Sequence, residues 1–463
     1  MPKDKKLTVA VAGATGFVGT ALLPKLAEKF RVVALTRGKV RESSDSDIEW
    51  RQCDLFSLLE TEKALEGVDV AIYLIHSMLP SAELSQGNFQ DFDLLVADNF
   101  SRAAAQRKIE QIIYLGGMFP QGETLSTHLK SRKEVETALG SGTAALTVFR
   151  AAMIMGKEGS SATIVLRLVK RLPLMICPSW TETESQPIDL LDAADSLVAV
   201  VGEKNSYTVD YDLAGANSLT YREMMEQSAE VMGLKRYIFG VPVSSLFLSS
   251  LWLKLVTGAP RSLSAPLVAS LKHRMVAREG KAFKISGKKF LTYQESLTRI
   301  LKAKSEEVNT PRAFVLPDDE RRARTVRSVQ RLKLPVGASA GYVAQEYVDW
   351  LPKFLSPLLK VEVKDGVINF KLPVLGLSLL QLDYSNERSV DDRQLFYIVG
   401  GRLAANSDKD RVEFRETYDK KNILVAVHDF EPALPWYVYK YTQAILHAWI
   451  MKKFGQHLRR VTP

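Results

Sequence analysis

Cysteine is nearly missing from this sequence, with two thiols, Cys53 and Cys177, in 463 residues. Two thiols cannot build a disulfide framework or a four-cysteine zinc site, and their scarcity indicates a reducing compartment. Both are expected to be small, buried, apolar side chains. The six histidines are scattered and include no His-Glu-x-x-His run, so no metal ligand set is expected. No uninterrupted apolar stretch reaches 18 residues, which argues against a transmembrane helix. Residues 237–258 come nearest, but Pro242, Lys254 and several serines interrupt them. That segment reads either as a buried helix or as one lying on a membrane surface.

A large charge excess is missing too. The 62 Lys and Arg against 53 Asp and Glu leave +9, spread along the chain except at residues 321–333. No aromatic-basic motif accompanies them, so no nucleic-acid partner is expected. A hydrophobic fraction of 46% with 25% charged residues excludes wholesale disorder and a collagen-like chain. The basic start, Met1 to Lys6, followed by apolar residues 7–12, faintly resembles a secretion signal. It stops at Gly13-Ala-Thr-Gly16 without a small-residue cleavage site, so a first strand is the better reading. The expected location is cytoplasmic, with peripheral contact to the inner face of the membrane through 237–258 as the variant.

At roughly 150 residues per domain, the length suggests two or three domains. Short apolar runs at 7–12, 30–35, 68–75, 111–115 and 146–149 alternate with helix-length segments at 18–29, 55–65, 88–107 and 129–139. Strand alternating with helix predicts a doubly wound parallel α/β sheet of about seven strands. Residues 192–202 and 220–233 read as further helices, the second opened by Thr220 and Glu223 at capping-box spacing. The first domain is placed at 1–305, with a substrate-side segment at 157–300.

Residues 306–326 are polar and proline-punctuated, and read as a linker. The second domain, 327–463, has another pattern. Helical residues 339–359, interrupted by Pro352, precede strand-like runs at 360–363, 367–372, 377–384, 394–403, 411–418 and 423–430. Residues 435–458 close the chain with an apolar stripe of Trp436, Tyr439, Ile445, Trp449 and Phe454. This predicts an α+β domain with an antiparallel sheet and a long C-terminal helix. Arg388, Arg393, Glu413, Arg415, Glu416 and Asp429 form either an ion network or the mouth of a polar pocket.

The chemistry-bearing motif is Val9-Ala-Val-Ala-Gly13-Ala-Thr-Gly16-Phe-Val-Gly19, a strand running through Gly-x-x-Gly-x-x-Gly into a helix. Gly13 allows a tight turn, Gly16 a close backbone approach to a pyrophosphate, and Gly19 close packing of helix on strand. The helix N-terminus then offers unpaired N–H groups to the phosphate. At the end of the second strand stands Arg37, where a site preferring NAD usually has a carboxylate. A cation there suits a 2′-phosphate, with Lys39 and Arg41 close behind, so NADP(H) is the preferred cofactor and NAD(H) the alternative.

Gly-Ala-Thr-Gly-Phe-Val-Gly resembles the extended and atypical short-chain dehydrogenase/reductases, nearest their NmrA-like branch. Cys53-Asp54-Leu55 sits where the family's adenine contact does, and Tyr73-Leu-Ile-His-Ser-Met78 ends the fourth strand. Phe149-Arg150-Ala-Ala-Met-Ile-Met-Gly156 resembles the family's segment after the sixth strand. Gln186-Pro-Ile188 followed by Asp192-Ala-Ala-Asp195 resembles its substrate-side turn and helix. The resemblance spans residues 5 to about 300. It implies cofactor contacts from Gly13, Thr15, Gly16, Phe17, Val18, Gly19, Arg37, Asp54, Leu55, Ile75, His76, Gly116, Arg132 and Arg150.

The departure concerns the acid-base half. The family's Tyr-x-x-x-Lys pair is absent, since none of the 15 tyrosines has lysine four residues on. Where the pair belongs stands His128-Leu-Lys-Ser-Arg132, and the fifth strand ends Tyr114-Leu-Gly116-Gly117 without the family's serine. Histidine can donate a proton and arginine can supply the cation, making His128 and Arg132 the catalytic candidates, with His76 a second histidine. A cofactor contact without catalysis, or a plain helix position, are the other readings of His128. Residues 324–463 resemble an uncharacterised domain fused behind such modules, and their element order resembles a helix-grip fold. That likeness implies an apolar ligand cavity, the alternative being aromatics that fill a core. Two functions follow: an NADPH-dependent oxidoreductase acting on an apolar carbonyl or enone, or a non-catalytic dinucleotide-binding sensor or assembly factor.

Overall fold

The computed structural model describes residues 6–38, 47–76, 84–120, 122, 125–157, 159–241, 271–305, 325–405 and 409–461. The chain forms two compact units, residues 1–76 with 96–318, and 77–95 with 319–463.

The first unit is built on seven parallel strands. Their spatial order is Asp210–Leu213, Ala145–Ala151, Gln111–Gly117, Val70–Tyr73, Thr8–Ala12, Arg31–Thr36 and Ile48–Gln52. The central strands are apolar throughout, because helices cover both faces of a parallel sheet. Thus Val9, Ala10, Val11 and Ala12 have no exposed surface, and neither do Ala71 and Ile72. Chain order reverses between Thr8–Ala12 and Val70–Tyr73, and at such a switch point the strand ends open a crevice. The helix Phe17–Ala27 buries Leu22, Leu23 and Leu26 against Val9, Val11 and Ile72. Two strands escape the pattern of apolar runs. Ile48–Gln52 is a half-exposed edge reading Ile-Glu-Trp-Arg-Gln, and Asp210–Leu213 is four residues with two aspartates. Further on, Thr220 and Glu223 form the expected capping box, with Thr220 Oγ1 accepting from Glu223 N at 3.1 Å and Glu223 Oε2 from Thr220 N at 2.7 Å.

Residues 237–241 are a strand, Tyr237–Val241, paired in parallel with Leu174–Pro178, and not part of a helix. The aromatic and β-branched run Tyr-Ile-Phe-Gly-Val suits an extended backbone. Tyr237 is 65% and Phe239 55% exposed, so neither is a core residue. The remainder of the 237–258 segment lies outside the described residues. Among the described residues no helix is long and apolar enough to cross a membrane.

The second unit is an eight-stranded sheet. Lys360–Lys364, Val367–Leu372, Leu377–Tyr384, Arg393–Gly400, Arg411–Glu416, Asn422–Phe430 and Val326–Lys333 follow one another antiparallel. Leu84–Gln86 then adds parallel to Val326–Lys333. This last pairing moves residues 84–95 out of the first domain expected from sequence; three half-buried residues carry no periodic signal. The presumed linker also ends earlier, since Val326 already belongs to a strand. Its alternation is hidden by basic residues that are paired in the fold: Arg327 Nη2 lies 2.6 Å from Asp429 Oδ1, and Arg331 Nε 2.6 Å from Asp91 Oδ1. The basic run is therefore structural over its described part.

Helix Ala340–Phe354 runs through Pro352, which was expected to interrupt it. So near the C-terminus, the missing N–H costs a single bond of the last turn. The closing segment divides at Thr442, φ −125° and ψ −81°, into Trp436–Tyr441 and Gln443–Leu458. Its apolar stripe divides as well. Tyr439 and Phe454 are in the core, whereas Ile445 is 59% and Trp449 43% exposed.

On one side of the sheet lies a buried ion network. Glu413 Oε1 accepts from Arg393 Nε at 2.7 Å and from Arg415 Nε at 2.6 Å, while His428 Nε2 is 3.0 Å from Glu413 Oε2. Burial would raise the Glu413 pKa, but Arg415 and Arg393 hold it well below the usual carboxylate range. Burial, helped by Arg411 and opposed by Glu413, pushes His428 down to about 4. The unfolded chain, with a histidine pKa of about 6.5, therefore binds more protons between pH 6.5 and 4 than the folded one. Stability is greatest above that window and falls as the pH drops through it, by about 2 kcal/mol at pH 5 from this one group. Thermal melts from pH 7.5 to 5 are expected to show that fall, and His428→Gln to flatten it. An unchanged slope in the variant would remove His428 as its source.

Candidate functional site

The glycine turn joins the first strand to the first helix. Gly13 adopts φ +91°, which L side chains rarely take, so glycine is required there. A Cβ on Gly19 would stand 2.2 Å from Gly13 O and 2.7 Å from Ala14 O, so this glycine lets helix and turn touch. Gly16 is exposed and caps the helix without a side-chain hydrogen bond, and no acidic residue stands in the first turn. The first N–H groups thus remain available to an anion, as a pyrophosphate site needs. Phe17 leans on the later part of the fold, for a Cβ on Gly156 would come within 2.6 Å of its ring. The sequence motif at 149–156 thereby acquires a packing role.

After the third strand, Asp54 Oδ1 accepts from Phe56 N at 3.2 Å, and Leu55 O accepts from Asn99 Nδ2 at 2.9 Å. These bonds hold the Cys53-Asp-Leu55 turn after the third strand. Cys53 itself is 2% exposed, and burial pushes its thiol up to about 12, which leaves it unreactive. Arg37 is exposed at the end of the second strand, where its carbonyl accepts from Gln52 Nε2 at 3.3 Å. It pairs with no carboxylate among the described residues. Lys39 and Arg41 lie outside them.

The acid-base candidates meet at the carboxyl ends of the fourth and fifth strands. Helix Thr127–Leu139 is capped by Ser126 Oγ, which accepts from Leu129 N at 3.3 Å and puts His128 in the first turn. The His128 and His76 rings lie 5.0 Å apart between centroids, tilted by 42°. His76 is exposed and His128 half-buried. One turn along the helix, Arg132 is 4% exposed and reaches the Ile75 carbonyl with Nη1 at 3.4 Å. Gly116 is required, because a Cβ there would sit 2.7 Å from the Tyr114 ring. Gly117 is not: a Cβ would meet only Arg132 Cγ and Leu129 Cδ2, both at 3.8 Å. The missing serine is therefore not a matter of space.

Arg150 is placed differently from the other cofactor candidates. Its fork grips Glu136 at 3.0 and 2.6 Å, Nη1 reaches Asp210 at 2.5 Å, and the guanidinium lies 5.2 Å over the Phe119 ring. Asp210 also takes Arg278 and Lys281. This network ties helix Thr127–Leu139 to the two outer strands, and so positions His128. On the substrate side, Gln186 bonds the Gly215 carbonyl and the Ala277 amide, while Asp192 and Asp195 are engaged by Lys288. Glu136 and Asp210 carried no sequence signal, being ordinary charged residues 74 positions apart.

The model of a family described as NAD(P)H-binding matches residues 13–155. The auxiliary protein GraX of Staphylococcus aureus is 31% identical over 121 residues, covering 26% of this chain and 39% of that protein, so well under two thirds of its length is matched. The ceramide reductase of Caulobacter vibrioides is 25% identical over 246 residues, 52% of this chain and 76% of that protein. Among solved structures, two of triphenylmethane reductase of Citrobacter sp. each align over 64% of this chain and 100% of their own, at 19% and 18% identity with TM-scores of 0.49 and 0.48. The stretch that matches the NAD(P)H-binding family model runs from the glycine turn to Ile154–Met155, and its strands belong to the doubly wound parallel sheet.

Proposed function

We propose that this protein is an NADPH-dependent reductase of an apolar carbonyl or enone, with His128 as proton donor. The observation that carries the reading is the convergence of His128, His76 and Arg132 at the strand ends beside the glycine turn. Bound NADPH would supply the hydride. Gly13, Gly16 and Gly19 with the uncapped helix would hold its pyrophosphate, and Asp54 and Leu55 its adenine side. His128 would give a proton to the substrate oxygen, and His76, exposed to solvent, would reprotonate it. Arg132, fixed by the Ile75 carbonyl, would hold the ribose as the family's lysine does. A relative whose name says that it reduces ceramide, a lipid, supports an apolar substrate.

The second reading, a non-catalytic dinucleotide-binding sensor or assembly factor, is favoured by the absent Tyr-x-x-x-Lys pair. Anaerobic incubation with a ketone, aldehyde and enone library, followed by NADPH absorbance, separates the two. Oxidation of the cofactor with any member supports the reductase; a tight complex inert to all of them supports the sensor.

Cofactor choice is a separate expectation. A charge-assisted contact between Arg37 and a 2′-phosphate contributes about 1.5–3 kcal/mol, or roughly tenfold to a hundredfold in affinity. The parent should bind NADPH more tightly than NADH by that ratio, and Arg37→Asp should erase or reverse it. Equal affinities in the parent protein would take Arg37 out of the cofactor site.

A further inference from the structure

The second unit encloses a cavity of about 220 Å³ between the sheet and helices Ala340–Phe354 and Gln443–Leu458. Its walls are aliphatic and aromatic, and no charged side chain lines it. An apolar void need not imply a ligand, but this one has a polar end. Gln86, Gln443, Ser328 and His447 all face it. The side-chain oxygens Gln86 Oε1 and Gln443 Oε1 are buried there with no hydrogen-bond partner. For Gln86 the amide orientation is fixed, because its Nε2 donates to the Ala444 carbonyl at 2.8 Å and a carbonyl can only accept. A buried acceptor left without a donor is costly, and most such groups in folded proteins are satisfied.

We propose that this cavity binds a neutral, mainly apolar molecule that carries a hydroxyl or amide N–H, with the donated hydrogen meeting Gln86 Oε1 or Gln443 Oε1. The cavity's volume exceeds the roughly 150 Å³ of an engineered apolar cavity that holds benzene. Neutrality follows from the lining, since a carboxylate would lose its hydration with no cation to replace it. His447 offers none: burial pushes it down to about 4, and its Nε2 lies 3.2 Å from Ser328 Oγ. The way in is at Leu446, which lines the cavity and is 50% exposed. Two different kinds of atom therefore select the ligand, apolar walls for its body and orphaned acceptors for its head.

The inference is independent of the reductase reading and is tested without cofactor. Calorimetric titration of the full chain at pH 7.5 would compare 1-octanol, its methyl ether and octanoate. One-to-one binding of octanol is expected, with the ether and octanoate each roughly tenfold weaker or more, the size of one lost hydrogen bond to a buried acceptor. The double variant Gln86→Met with Gln443→Met, which removes both acceptors, should bring octanol and its ether to within about twofold, and Val425→Phe, which fills the cavity, should abolish octanol binding. If Val425→Phe fails to fold, the ratio in the double variant still decides. No binding of octanol, octanoate as tight as octanol, or an unchanged ratio in the double variant would each overturn the proposal.

Discussion

Replacing Gly16 by valine is expected to abolish measurable NADPH binding while leaving the melting temperature near that of the parent. Gly16 is exposed, its φ of −82° suits any L residue, and an added Cβ would press only on Gly13 O at 3.1 Å. The branched methyls would instead occupy the space over the uncapped helix N-terminus. Losing two charge-assisted bonds to a phosphate costs about 3–6 kcal/mol, or roughly a hundredfold to ten-thousandfold in affinity. Gly19→Ala makes the contrast. Its Cβ would collide with backbone at 2.2 Å, so turn and helix must separate, at about 1–3 kcal/mol of overpacking. Fluorescence titration with NADPH and a thermal melt on both variants check this. Retained titration in Gly16→Val would refute the phosphate role, and a parental melt in Gly19→Ala would refute the packing role.

What could be read from the sequence was mostly what is local. The glycine turn, the capping box at Thr220 and the central apolar strands each depend on residues a few positions apart, where spacing and side-chain type decide the geometry. The edge strand Ile48–Gln52 was hidden because one exposed side relaxes the demand for apolar residues. Strand Val326–Lys333 was hidden because its arginines are neutralised by Asp429 and Asp91, partners 102 and 240 positions away. The site shows the same division. His76 and His128 were each visible as candidates, but their 5.0 Å approach depends on adjacent parallel strands. Arg150, visible as a motif residue, has its donors on Glu136 and Asp210, and nothing in a single sequence announces that pairing. The apolar cavity was implied only by resemblance, and its orphaned amides depend on a glutamine from residues 84–86 joining the second sheet.

Removing the imidazole of His128 gives the second large effect. If this side chain donates a proton to the substrate oxygen as hydride arrives, His128→Ala should lower kcat by roughly a hundredfold to ten-thousandfold, the usual size of general acid-base catalysis. NADPH affinity should change little, because the glycine turn and the Cys53-Asp-Leu55 turn are held by bonds that do not involve His128. The helix should persist, since Ser126 caps it and Leu129, Val135 and Leu139 anchor it. Arg132→Ala should behave otherwise and weaken both turnover and NADPH binding, as a cation holding the ribose would. His76→Ala tests the relay: a smaller loss of kcat that added imidazole relieves would assign it proton exchange with solvent. Parental turnover in His128→Ala, measured with whichever carbonyl the library identifies, would take this histidine out of the mechanism. A fall in NADPH affinity matching the fall in kcat would instead make His128 a cofactor contact, because proton donation acts on the reacting oxygen and leaves the phosphate and adenine contacts untouched.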